Sequence, residues 1–205
     1  GRPWLSVAIV SASRCVVGFS VAMERPNAGT VALLLSRVAL AKQAWLVTIG
    51  VEVDWPMHGL PKTLHLDNAA EFKSRALRTG CGQYGIELMY RPAGRPQFGG
   101  HVERMNRTLM QRLKGLPGTT GNSTVGRKAR QSADRAVLTL KEFERWLTLE
   151  VAQRYHNSPH RGLMEATPAS AWATLSQAHP PRLLPTGPDE ALRFLVRFMP
   201  IEPRT

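Results

Sequence analysis

The stretch LHLDNAAEF, residues 64–72, decides how the chain is read. Leu64-His65-Leu66 has the make-up of a short buried strand, and the strand breaks at Asp67-Asn68 before a helix-forming run. Taken alone, a carboxylate at a strand mouth is a turn or cap residue, and Glu71 is a first-turn acid that complements the helix dipole. A second fragment, PQFGGHVERMNRTL at 96–109, sharpens the reading. It opens a helix carrying Glu103, and 35 residues lie between Asp67 and Glu103.

Outward from these fragments, the chain reads as an α/β domain. WLSVAIV (4–10) and CVVGFSVAM (15–23) are rich in β-favoured residues and are separated by SASR, which predicts an antiparallel hairpin. Asn27 after Pro26 caps a predicted helix over 28–45, apolar nearly all round and so expected to pack on a sheet. A proline-punctuated loop over 55–62, with Asp54 in a turn before it, leads to a strand at 63–67. A helix over 69–85 should end near Gly80 or Gly82, and a strand follows at 86–92. After the Gly/Pro loop 93–100, Val102, Met105, Leu109, Leu113 and Leu116 mark the buried face of a helix over about 100–116.

Residues 117–136 lack periodicity and read as a flexible excursion. An amphipathic helix is predicted over 138–156, buried through Phe143, Trp146, Leu147 and Val151. A short one spans 167–175, with Thr167 as N-cap and Pro168 in its first turn. Residues 179–205 read as a linker, and ALRFLVRFMPIEPRT starts strand-like. The order of elements suggests a mixed sheet flanked by helices.

Composition narrows the partner. The 205 residues carry 27 Lys+Arg against 15 Asp+Glu, a net charge of +12. Such an excess suggests a polyanion, most often nucleic acid. Hydrophobic residues make up 43% of the chain, enough to bury a core and against global disorder. Cys15 and Cys81 form no CxxC pair, and the six histidines show no metal-finger spacing. A disulfide scaffold is not expected, and a reducing cytoplasm fits. No apolar run approaches the about 20 residues that span a bilayer, and residues 1–24 lack the layout of a signal peptide.

Acidic side chains at strand ends beside a basic surface suggest divalent-metal chemistry on phosphates. Mg²⁺ prefers oxygen ligands, takes one or two carboxylates and keeps waters. Two such ions about 3.5–4 Å apart serve phosphodiester chemistry. Asp67 at a strand end and Glu103 in a first helical turn suit that purpose if the helix crosses the strand ends. From 99 to 131 the chain carries seven basic residues and one acid, Glu103. Glu103, Arg107, Met110 and Lys114 share one helical face. Each arginine there could equally be an ordinary solvated residue. Phe143, Trp146 and Trp172 fall at core spacing, and His156 and His160 read as structural or capping residues.

LHLDNAAEF together with YRPAGRPQFGGHVERMNRTL resembles the core of retroviral-type integrases and DDE transposases. The likeness is nearest to the large transposase subunits of Mu-like and related transposons. In that family an Asp-Asn-Gly turn with a downstream Glu-Phe carries the second catalytic aspartate, and P-x-x-GG-x-x-ER carries the catalytic glutamate. RYHNSPHRGLMEATPASAW (154–172) resembles the family's YN…PH.GL…TP..AW stretch, so the likeness covers about residues 2–175.

The resemblance implies a ribonuclease H-like mixed five-stranded sheet, with residues 1–178 as an integrase-type core and 179–205 as a linker and the start of a C-terminal β-barrel. It implies Asp67 and Glu103 as catalytic residues and ligands of two Mg²⁺ or Mn²⁺ ions. Asn68, Arg91, Arg95, Arg104, Arg107 and Lys114 would contact DNA. The implied activity is hydrolysis at transposon ends and strand transfer into target DNA. It would run in a homo-oligomer on DNA, with a possible partner ATPase and no membrane, in the bacterial cytoplasm on the nucleoid.

Three departures qualify it. The family's first catalytic acid lies on an opening strand upstream of PWLSVAIV, so this chain is expected to lack that strand and to be inactive alone. Val10 stands where relatives often carry a non-catalytic Asp. Ala69 replaces the glycine of Asp-Asn-Gly, so a helix is expected to start there directly. A non-catalytic DNA-binding remnant and a basic RNA-binding or assembly protein stay open as alternatives.

Overall fold

The computed structural model describes residues 3–67, 69–91, 100–113 and 138–200. The hairpin forms as the β-branched runs dictate. Strand β1 (Trp4–Ile9) pairs antiparallel with β2 (Val16–Ala22), Trp4 opposite Ala22, with a register shift between Ala8 and Ile9. Helix α1 (Ala28–Ala39) starts at Asn27, whose side chain accepts the Thr30 N–H in a reciprocal capping box.

The predicted helix over 28–45 is in fact two helices. Leu40 ends α1 in an extended conformation, and α2 (Gln43–Ile49) leaves at an angle of 118°. Lys42 explains the break. Its side chain is buried, and Nζ donates to the carbonyls of Leu40 (3.3 Å) and Met57 (2.8 Å). Those bonds fix the corner from outside the helix, which a local propensity cannot register. No single helix among the described residues is long and apolar enough to cross a membrane.

Strand β3 (Thr63–Leu66) pairs in parallel with β4 (Glu87–Tyr90), Leu66 opposite Tyr90. Between them lie a 3-10 turn (Ala70–Lys73) and α3 (Arg75–Gln83), capped by the Ser74 hydroxyl. The helix ends at Gln83, next to Gly82 as expected, and Gly85 follows in the left-handed conformation, φ 62°. Helix α4 covers Gly100–Leu113, α5 Leu140–Leu149 with a π-helical turn Glu150–Tyr155, and α6 Pro168–Ala178 behind the Thr167 cap. The expected excursion over 117–136 lies outside the described residues.

Among the described residues the strands form two two-stranded ladders, and the expected single five-stranded sheet is not shown. One expectation is corrected. The segment read as strand-like is a helix, α7 (Pro188–Phe198), with Pro188 in its first turn and Asp189 and Glu190 at its positive end. Phe194 and Phe198 lie one turn apart and are each 1% exposed.

Two cores hold these elements. The first gathers β2, α2 and α5 around Phe19, Trp45, Trp55 and Leu147, with Phe143, Trp146 and Trp172 packed against it. The second gathers β3, α3 and α7 around Leu66, Leu77, Cys81, Phe194 and Phe198. Helix α1 serves both, with Val38 in the first and Val31, Ala32, Leu35 and Ala39 in the second. Cys15 and Cys81 are both buried free thiols.

Gly80 is where α7 meets α3. A methyl group there would stand 2.5 Å from Phe198 Cε1, and the ring has nowhere to move. Gly80→Ala should therefore lose about 1–3 kcal/mol by overpacking, despite the better helix propensity of alanine. A urea titration measures this, and an unchanged or raised midpoint would show that α7 does not seat as described.

His156 is buried, and its Nε2 accepts the Val16 N–H at 3.1 Å. Burial pulls its pKa down to about 4 from 6.5, and the nearby Lys42 ammonium adds to the shift. The unfolded chain thus binds a proton in this window that the native chain refuses. Stability from this group is complete above about pH 6.5 and is lost as pH falls toward about 4. Thermal melts at pH 7 and 4.5 should show the drop, and His156→Gln should reduce it. An unaltered pH profile in that variant would place the cause elsewhere.

Candidate functional site

Asp67 leaves the end of β3 with its side chain exposed. Its Oδ1 accepts the Ala69 N–H at 3.0 Å, an Asx turn. Ala69 is consequently extended, φ −64° and ψ 148°, and the helix expected to start there does not. The chain makes only the 3-10 turn 70–73, held by Tyr90 Oη donating to the Phe72 carbonyl at 2.7 Å. The side chain of Asp67 has taken a backbone N–H that a helix would have needed, a local competition that favours turns over helices. Because β3 and β4 are parallel, Arg91 arrives at the same end of the ladder, its N–H donating to the Leu66 carbonyl at 2.8 Å.

A cleft of about 670 Å³ opens beside this end. One wall is Trp4 at the start of β1, the second is Arg25–Ala28 leading into α1, and the third is Ala69–Glu71 with Ser74. The Arg25 guanidinium stands 5.9 Å from the centre of the Trp4 ring. Sequence reading passed over Arg25, because a lone arginine after a strand carries no pattern. Its place at the cleft comes from β1 and β2 being antiparallel, which brings residue 25 back beside residue 4.

Glu103 lies in the first turn of α4. Met105, 3% exposed, roots this helix in the first core. Glu103 is exposed and pairs with Arg107 one turn on, at 3.7 Å. A pair so open to water contributes well under 1 kcal/mol and leaves both groups available. Arg104 is also exposed and lines a second cleft, against the segment 155–160. Asn68, Arg95 and Lys114, all expected to contact DNA, lie outside the described residues.

The described residues thus bring Asp67 to the strand end with Arg91, and Glu103 together with Arg107. They contain no group of three or more His, Cys, Asp or Glu side chains arranged to hold a metal. His156 and His160 each accept a backbone N–H. The first bonds Val16, and the second caps a short turn by accepting the Gly162 N–H at 3.1 Å.

This is an α/β chain with two acids on separate elements and a cationic helix, and its relatives include a transposase and retroviral Pol polyproteins. The family model described as the TnsB C-terminal domain matches residues 1–118, and the chain belongs to that family. The chain is 27% identical over 172 residues to the transposase for transposon Tn552 of Staphylococcus aureus, covering 83% of this chain and 32% of that protein. It is 31% identical over 156 residues to the Pol polyprotein of feline endogenous virus ECE1, 76% of this chain and 12% of that one. Among solved structures, the catalytic core domain of BIV integrase superimposes with a TM-score of 0.48 at 21% identity, covering 85% of this chain and 88% of that chain. The chain therefore spans about a third of the Tn552 transposase and a smaller part of the viral polyprotein.

Proposed function

We propose that the chain is part of the catalytic core of a DNA transposase, cleaving DNA at transposon ends and joining those ends to target DNA. The observation that carries this reading is the family match over residues 1–118, a span that contains both Asp67 and Glu103. In this reading the two ladders are portions of one ribonuclease H-like sheet of five strands, completed by a strand that carries a third acid. The position of α1 across both ladders supports it.

The donor set suits Mg²⁺ or Mn²⁺. Asp67 and Glu103 are exposed carboxylates, and among the described residues the hydrogen bond to Asp67 engages a single oxygen. Hard cations that keep most of their waters accept such sparse ligation. When bound, a pair of ions supplies charge neutralisation at the scissile phosphate and a water made acidic enough to attack. The protein holds and orients. Ala69 N–H fixes the rotamer of Asp67, and the first core fixes the helix that carries Glu103. Arg104 and Arg107 take DNA phosphates alongside, as do Arg91, Asn68, Arg95 and Lys114. The chain would work as an oligomer on paired DNA ends. A non-catalytic DNA-binding role is the second reading, favoured by the lack of a three-acid cluster among the described residues.

Both readings require duplex DNA as ligand, and salt tests this. Log affinity should fall linearly with log salt, at a slope of about −0.9 per phosphate neutralised. Arg104→Ala and Arg107→Ala should each make the slope shallower by about 0.9. Absence of duplex binding at low salt, or a slope near zero, would end the proposal.

A further inference from the structure

A second cluster of cations lies at the far end of β1, where the chain turns into β2. Arg14 occupies that turn with φ 62°, a left-handed conformation that glycine adopts readily and arginine does not. The turn is pinned from three sides. Arg14 N–H donates to the Val10 carbonyl, Val10 N–H donates to the Cys15 carbonyl, each at 2.8 Å, and Tyr155 Oη donates to the Arg14 carbonyl at 2.9 Å. The pinned turn turns the guanidinium inward. Its Nε and Nη1 are buried and have no hydrogen-bond partner among the described residues. A buried guanidinium without an acceptor is costly, and a fork of N–H donors is shaped for an oxyanion.

Two more donors converge on the same place. The cleft of about 140 Å³ beside it is lined by Arg104 and Thr108 from α4 and by Tyr155, Ser158 and His160. His160 Nδ1 accepts the Gly162 N–H, so the neutral ring carries its proton on Nε2 and offers it as a donor. A methyl group placed on Gly162 would lie 3.8 Å from Arg14 Nε and 3.2 Å from the His160 ring, which puts those two side chains side by side. Burial, then Arg14, then Arg104 all lower the His160 pKa, with Glu165 opposing them, so both guanidinium groups act on this ring.

We infer that Arg14, Arg104 and His160 form a phosphate-binding subsite that takes a backbone phosphate of bound DNA. The DNA source rests on the function proposed above, whereas anion binding itself does not. Arginine at a position suited to glycine makes a discriminating variant available. Arg14→Gly should keep or raise the melting temperature while removing the fork.

Inorganic phosphate, titrated into the chain and followed by the His160 ring signals in NMR, should shift them saturably. Arg14→Gly should abolish the shift, and Arg104→Ala, on an exposed helix face, should weaken binding several-fold. With duplex DNA, Arg14→Gly should make the salt slope shallower by about 0.9. No saturable shift in the wild type, or an equal shift in Arg14→Gly, overturns the subsite. A lost phosphate response with an unchanged DNA slope overturns the DNA assignment. If phosphate shifts His160 while no duplex DNA binds, the proposed function falls and the anion site stands.

Discussion

Asp67→Asn is expected to remove Mn²⁺ binding from this chain while leaving its melting temperature where it was. The asparagine oxygen can still accept the Ala69 N–H, so the turn after β3 survives and the charge alone is lost. Glu103→Gln should behave alike, since its exposed pair with Arg107 contributes little to folding. In a protein holding the complete catalytic core, each change should lower strand transfer by about three orders of magnitude, the loss of several kcal/mol of ion-dependent stabilisation. Calorimetric or EPR titration with Mn²⁺ reads the first outcome and a strand-transfer assay the second. Unchanged metal isotherms in both variants would remove these acids from the site and leave the DNA-binding reading standing.

The largest effect on stability is expected at Phe198. The side chain is 1% exposed and fills the hollow over Gly80, with Phe194 at 4.8 Å and Tyr84 at 5.9 Å between ring centres. Phe198→Ala should cost about 3–5 kcal/mol, a large share of the about 5–15 kcal/mol that a domain has in reserve. The double variant with Gly80→Ala is informative. Once the ring is gone, a methyl at position 80 partly fills the cavity, so the second change should stabilise where alone it destabilises. Denaturant unfolding of the four proteins would show that reversal of sign. Additive losses would mean that the two residues do not touch.

What the sequence reveals well is what neighbours decide. The β-favoured runs over 4–10 and 15–23, the Asn27 cap and the Thr167-Pro168 start are all local, and each sits where expected. The failures come from side-chain bonds to the backbone, some local and some from far along the chain. Lys42 ends one helix and begins another because carbonyls at 40 and 57 receive its ammonium. Ala69 stays extended because Asp67 captures its N–H and Tyr90 holds the next turn from the neighbouring strand.

Helix α7 was legible in part. Pro188 followed by Asp189 and Glu190 is a helix start, and Ala191, Phe194, Leu195 and Phe198 repeat at helical spacing. The apolar run FLV within it has the look of a strand, and that local signal outweighed the spacing. At the candidate site, the positions of Asp67 and Glu103 on a strand end and a first helical turn could be read directly. Arg14 could not, since its conformation depends on Tyr155, far along the chain.

Helix α1 presents one flank to the aromatic cluster behind the hairpin and the other to the phenylalanines of α7. It acts as a keystone. The antiparallel and parallel halves are coupled, because loosening either one strips α1 of part of its burial. A ligand seated in the cleft at its N-terminus would therefore load both cores at once.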